Sequence, residues 1–367
     1  MLSLQEELSY VEIGQPSQFR NLTLFSLVRL RPSVTAGDLD YMLLEDSIAQ
    51  GKVRVSELGG GGSVPELRVE NTADLPILVV DGEELVGAKQ NRVLNLTILV
   101  APTRTTVIPV SCVEAGRWNT SSPDLKSTDH MMYSQGRAQC QSSVTESMRA
   151  KGPRFSNQRA IWRDIAAKSF RMATKSATGA MSDIYEHHRS AVDEFIRAFA
   201  WKDGQAGVAF ALAGRILGLD LFDRPETMRR LFPRLVRSYA LDALDAPLET
   251  IGSASSEALR RFVAQIGEAQ HFSRQALGLG EDVRFNGGEI SGAALWAQGR
   301  YVHICAFAGD GETSQASFWS RISRPSHRRC FEQGRSLNGK TNDNNSQCTN
   351  ATAFWAANVN HDERNAN

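Results

Sequence analysis

Cysteine is scarce in this sequence and never clustered. The five residues, Cys112, Cys140, Cys305, Cys330 and Cys348, show no C-x-x-C spacing, which argues against a zinc site and a disulfide framework and fits a reduced, cytoplasmic setting. An excess of charge is missing too. With 41 basic and 41 acidic residues the formal net charge is zero, so the balance favours neither nucleic acid nor an anionic membrane as a partner. No segment is apolar for long enough to span a bilayer, and Met1 to Glu7 lack the basic start and apolar stretch of a secretory leader. A strand-Gly-x-Gly-x-x-Gly-helix pattern and a P-loop lysine are also absent. Gly59 to Gly62 therefore read first as a linker, and only second as a place where backbone approaches a phosphate. No metal site and no particular cofactor is implied.

What is present concentrates between Leu75 and Trp118. Ile77 to Val80 form an apolar run that stops at Asp81-Gly82, a pair suited to a tight turn, so a hairpin is expected there. Gln90 to Val100 and Thr106 to Glu114 alternate with period two, which predicts two strands, with Pro109 marking an edge or bulge. Putting both apolar sets on one face sets Ile98 against Ile108, Leu96 against Val110, Leu94 against Cys112 and Arg92 against Glu114. This predicts an Arg92–Glu114 cross-strand ion pair beside Lys89, Gln90, Arg117 and Trp118. Two readings stay open: a polar ligand pocket, or ion pairs that only hold the register. Cys112 reads as a packing residue before a nucleophile.

Around this centre the chain reads as α+β: largely antiparallel sheets built from hairpins, with helices packed on one side and a polar, disordered tail over 330–367. Strands are expected within Val11 to Arg31, Val53 to Leu58 and Leu67 to Glu70. Helices are expected from Asp38 to Gln50, Asn157 to Ser169, Ser182 to Trp201, Pro225 to Ala243 and Ser256 to Glu268. Gly207 to Phe222 reads as a hairpin turning at Ala213-Gly214, and Gly292 to Phe307 as another turning at Gly299, with Tyr301, His303 and Cys305 on one face. The polar stretch 118–159 is expected to be a long loop plus one helix, a cover from which His130, Arg137 or Arg149 could reach the pocket. His187 and His188 point about 100° apart on a helix and read as surface. His271, where a helix gives way to extended chain, is a weaker acid–base candidate.

DGEELVGAKQNRVLN, PVSCVEAGRW, NQRAIW, the block from Gly204 to Leu244 and GAALWAQGRYVHICAFA together resemble the ARG and rhodanese-phosphatase-superfamily-associated protein domain family, over about Val11 to Arg329. The resemblance implies a single α+β domain over 1–329, β-rich over 1–118 and made of helices and hairpins over 155–307. It also implies work alongside ADP-ribosylglycohydrolase-type and phosphatase-type proteins, and hence an ADP-ribose-like or other nucleotide-derived metabolite as ligand. Its polar motif falls on Glu83, Lys89, Gln90, Asn91, Arg92, Glu114, Arg117 and Trp118, with a further match at Gln205. On this reading Lys89, Arg92 and Arg117 meet phosphate or carboxylate, Trp118 stacks on a base or sugar, Gln90, Asn91 and Gln205 complete the ligand set, and Glu83 or Glu114 is the acid or base of an enzyme. A non-catalytic capture module and a scaffold without a ligand are the alternatives.

Overall fold

The computed structural model describes residues 3–31, 41–59, 62–120, 122–246, 252–287 and 289–309. The predicted tail, the positions of Cys330 and Cys348, two glycines of the Gly59–Gly62 run and the predicted helix start at Asp38 lie outside the described residues.

Hairpins do build most of the molecule, and the α+β class stands. The large sheet has nine strands. Its order is Val11–Ile13, Leu22–Arg29, Gln205–Leu212, Arg215–Phe222, Arg300–Ala308, Ile290–Ala297, Glu281–Gly287 and His271–Gln275, with Ser17–Phe19 paired to Leu22–Arg29, and every ladder in it is antiparallel. Ala213 and Gly214 join two of these strands in the left-handed conformation, with φ of 51° and 83°, as a two-residue hairpin turn requires. In the neighbouring hairpin an extra residue between the Leu295–His303 and Trp296–Tyr301 pairs makes a bulge. That bulge corrects the expected face: His303 stacks on Phe222 and Cys305 joins the same core, whereas Tyr301 turns to the opposite core against Trp296.

Helix Pro225–Asp245 opens on proline at its first turn and buries Leu231, Leu235 and Tyr239, the last stacked on Phe210 of the sheet. Gln158–Arg171 starts where Asn157 accepts the Ala160 N–H as N-cap. The helix expected over Ser182 to Trp201 is two, Met181–His187 and Arg189–Ala198, separated at His188. Most helices pack on this side of the sheet, and Leu4–Ser9 with Ser256–Glu268 line the other. The helix placed over Asp38 to Gln50 is shorter, Leu44–Ala49, and is preceded by the strand Met42–Leu43.

The region expected to hold the site forms a second body of sheet. Six strands close into a barrel in the order Arg104–Cys112, Glu66–Asn71, Val53–Glu57, Asp124–Met131, Glu83–Gly87 and Arg92–Leu94, beside a three-stranded sheet of Ile98–Val100, Ile77–Val79 and Met42–Leu43. Three expectations change here. Gly82 has the positive φ of a turn, 82°, but Ile77–Val79 and Glu83–Gly87 belong to different sheets and do not form a hairpin. The polar stretch 118–159 is no simple cover, since it supplies the barrel strand Asp124–Met131 before helix Ser134–Arg149. Finally, Ile98–Val100 leaves to pair with Ile77–Val79, and Arg104–Pro109 pairs with Glu66–Asn71, so only Val110–Cys112 meets Arg92–Leu94. Leu94 faces Val110 and Arg92 faces Cys112, a slip of two residues from the predicted register. A slip of two keeps every side chain on its face, which is why alternation alone could not detect it.

Candidate functional site

The barrel interior follows from alternation. Val53, Val55, Leu67, Val69, Leu85, Leu94, Ile108, Val110 and Leu125 form one buried cluster, and cross-strand partners share a face. The two ends of this interior differ. At one end Asn71, opposite Val53, donates its amide to the Leu75 and Ala101 carbonyls (both 3.0 Å) and accepts the Ala73 N–H (2.9 Å), so its polar groups are used. At the other end stands Arg92, opposite Cys112 and Leu85 and fully buried. Its Nη1 donates to Gln90 Oε1 at 3.3 Å and its Nη2 lies 3.7 Å from Glu57 Oε1, while Nε and Nη2 have no hydrogen-bond partner among the described residues. Glu57 is similar: Oε1 accepts the Lys89 backbone N–H at 3.2 Å, and buried Oε2 has no hydrogen bond among the described residues. Over this end lies Trp118, 43% exposed, with the Lys89 ammonium 5.1 Å and the Arg92 guanidinium 5.7 Å from its ring centroid.

The Arg92–Glu114 pair is therefore not formed. Glu114 lies beyond the end of the Arg104–Cys112 strand, where Arg117 takes it: Oε2 accepts Arg117 Nη2 at 2.7 Å and the Asn91 N–H at 3.0 Å, and Oε1 accepts the Thr178 hydroxyl at 2.8 Å. Burial alone would raise the Glu114 carboxyl, but these three donors outweigh it and hold it below its ordinary range. Arg117 also donates to the Ala88 carbonyl (2.8 Å) and to Asn91 Oδ1 (3.0 Å), which in turn accepts the Gly87 N–H. Glu114, Arg117 and Asn91 thus clamp the loop that presents Lys89, Gln90 and Arg92. Gln90 donates to the Glu114 carbonyl (2.9 Å) and accepts the Cys112 thiol (2.9 Å). Burial pushes the Cys112 thiol up, so it stays protonated and acts as a donor.

Two predicted residues stand apart. Glu83 is buried against Arg234 of the long helix (2.7 Å) and the Val80 N–H (2.9 Å), with its carboxyl raised by burial, and neither contact belongs to the Arg92 group. Gln205 is consumed locally at a bulge, accepting the Lys202 N–H and donating to the Gly207 carbonyl. Of the residues expected to reach over, Arg137 is wholly buried elsewhere, His130 is held between Glu84 (3.3 Å) and Asp129 (3.2 Å), and Arg149 is exposed over Phe272. His271 is exposed on the last strand of the large sheet, and His303 with Cys305 lies in its core.

Glu57 and Gln158 were not among the residues expected at the site, and Gly62 was expected first as part of a linker. Glu57 was legible, because Val-Arg-Val-Ser-Glu alternates and places it on the inner face with Val53 and Val55. Gly62, with φ of 75°, comes so close that a Cβ there would sit 3.1 Å from Lys89 Cδ and 3.2 Å from Glu57 Oε2, so Gly62 borders this site. Gln158 completes the ladder at Cys112, accepting its N–H (2.8 Å) and donating to its carbonyl (2.7 Å).

Among the described residues no helix is long and apolar enough to cross a membrane. Comparison with curated proteins and with solved structures finds no match. Residues 10–307 match the model of the ARG and Rhodanese-Phosphatase-superfamily-associated Protein domain, a span that holds the barrel, the large sheet and every residue of the barrel-end group, and the chain belongs to that family.

Proposed function

We propose that this protein recognises a nucleotide-derived metabolite of the ADP-ribose class at the end of the barrel lined by Glu57, Lys89, Arg92 and Trp118, and that it captures the ligand without turning it over. The observation that carries this reading is Arg92. A buried guanidinium with two nitrogens unused is costly to keep, and ligand oxygens would relieve that cost. Trp118 offers an exposed aromatic face beside it for a base or sugar, and Lys89 places a second cation on the same ring. Because Arg92 is closed to solvent, contact with it requires side chains at the barrel end to move. Capture is favoured over catalysis because the carboxylates proposed as acid or base are engaged: Glu114 by three donors, Glu83 by Arg234. The second reading, an enzyme, rests on Glu57 Oε2, a buried carboxylate oxygen without a hydrogen bond.

The test is titration with ADP-ribose, NAD, ADP and orthophosphate, followed by thermal shift and tryptophan fluorescence, with chromatography of the mixture after incubation. ADP-ribose should raise the melting temperature and quench fluorescence, Arg92→Met should weaken binding about tenfold or more, and Trp118→Phe should remove the quench. A melting temperature indifferent to every compound overturns recognition, and a product that disappears with Glu57→Gln moves the protein to the enzyme reading.

A further inference from the structure

Resting on the recognition reading, we propose that the group met deepest in this site is a ribose, through vicinal hydroxyls, and that phosphate stays at the rim. The reason is the mixed character of the barrel end. Arg92 offers donors at Nε and Nη2, but Glu57 stands with Oε1 3.7 Å from that same Nη2, and its Oε2 is buried and unbonded beside Gly62 and the Lys89 stem. A phosphate entering there would gain Arg92 and be repelled by Glu57 at comparable range. Its dianion would be buried against a pair whose charges already cancel. A vicinal diol answers both groups at once: one hydroxyl donates to Glu57 Oε2, and the oxygens accept from Arg92. Each hydroxyl carries one donor and two acceptor lone pairs, so the orphaned atoms on both sides are satisfied without new net charge in the interior. Farther out the balance changes. Glu114 is neutralised by Arg117, and the Lys89 ammonium adds positive charge beside Trp118. A phosphate linked to the ribose finds its electrostatic partner there, nearer water and away from Glu57. Gly62 closes in on this corner, where a Cβ would sit 3.1 Å from Lys89 Cδ and 3.2 Å from Glu57 Oε2.

The probes are ribose 5-phosphate and 2-deoxyribose 5-phosphate, which share their phosphate and differ by one hydroxyl. They are titrated calorimetrically into the full chain beside ADP-ribose and orthophosphate. Ribose 5-phosphate should bind about tenfold tighter or more than its deoxy analogue, since a site built to bond a hydroxyl penalises its loss, and orthophosphate should not displace it. Glu57→Gln, checked for folding by its melting curve, should bring the two sugars within about threefold of each other. Equal affinities, displacement by orthophosphate, or binding of ADP-ribose with neither sugar phosphate bound would overturn ribose recognition and leave the wider reading standing. Failure of ADP-ribose itself to bind would remove both.

Discussion

Two arginines in this protein are equally buried and oppositely placed in chemistry. Arg137, on helix Ser134–Arg149, makes five hydrogen bonds, to both oxygens of Asp81 and both of Asp220. Its guanidinium also lies 5.1 Å from the Phe307 ring centroid. The two carboxylates come from different sheets, Asp81 from beside the three-stranded sheet and Asp220 from the middle of the large one, and His303 adds a hydrogen bond to Asp220 at 3.2 Å. Arg137 is held well above its ordinary range by those neighbours despite burial. Arg92 has one hydrogen bond of 3.3 Å and one distant carboxylate. Burial is therefore no guide to the role of an ion; the number of partners aimed at it is. A saturated buried ion joins elements together, and an unsaturated one at the end of a barrel is positioned to be completed from outside.

The sharpest way to break the contrast is to remove each arginine. Arg137→Met strands two carboxylates in the interior and should cost ~3–5 kcal/mol of unfolding free energy, read from a urea midpoint at unchanged slope. An acid titration probes the same cluster. Burial would raise the Asp220 carboxyl, but Arg137 and His303 reverse this and hold it at about 2 against an ordinary 3.8. A carboxyl lowered on folding stabilises fully above its unfolded value and loses that contribution as pH falls through its folded one. The stability gap between wild type and Asp220→Asn should accordingly narrow by on the order of 2 kcal/mol between pH 5 and 2; a gap that widens in acid would contradict the assignment. Glu114→Gln should cost about 1–2 kcal/mol and speed hydrogen exchange in the 87–92 loop, because the clamp through Arg117 and Asn91 is weakened. Arg92→Met should cost less than Arg137→Met, about 1 kcal/mol, since it removes one long hydrogen bond and leaves a single carboxylate, Glu57, rather than two. A loss there as large as at Arg137 would make Arg92 another structural ion.

Part of this was readable from residue order. Ala213-Gly214 between two apolar runs specifies its turn through backbone sterics, and Pro225 with Glu226 marks a helix start; both came out as expected because each depends on neighbours in sequence. Gathering Lys89, Gln90, Asn91, Arg92, Glu114, Arg117 and Trp118 at one place was also legible, since alternation and short connections bring them together. Who pairs with whom was not. Period-two alternation is blind to a slip of two, so Arg92 moved from Glu114 to Cys112 without any change of face. Strand Asp124–Met131 was hidden because its polar residues look like a loop until the barrel supplies its neighbours. Glu83 lies in the same motif block as Lys89 and Arg92, and Gln205 in a separate one, yet Arg234 and the backbone around Gly207 claim them.

Local geometry and the in-or-out sorting of side chains were properties of the sequence alone, because both are set within a few residues by steric limits and by hydrophobic burial. Whether a buried charge is satisfied was decided only when distant segments met. Asp81 and Asp220 converge on Arg137 and, among the described residues, nothing comparable reaches Arg92, and that depends on sheet order and strand exit, which no stretch of either strand encodes.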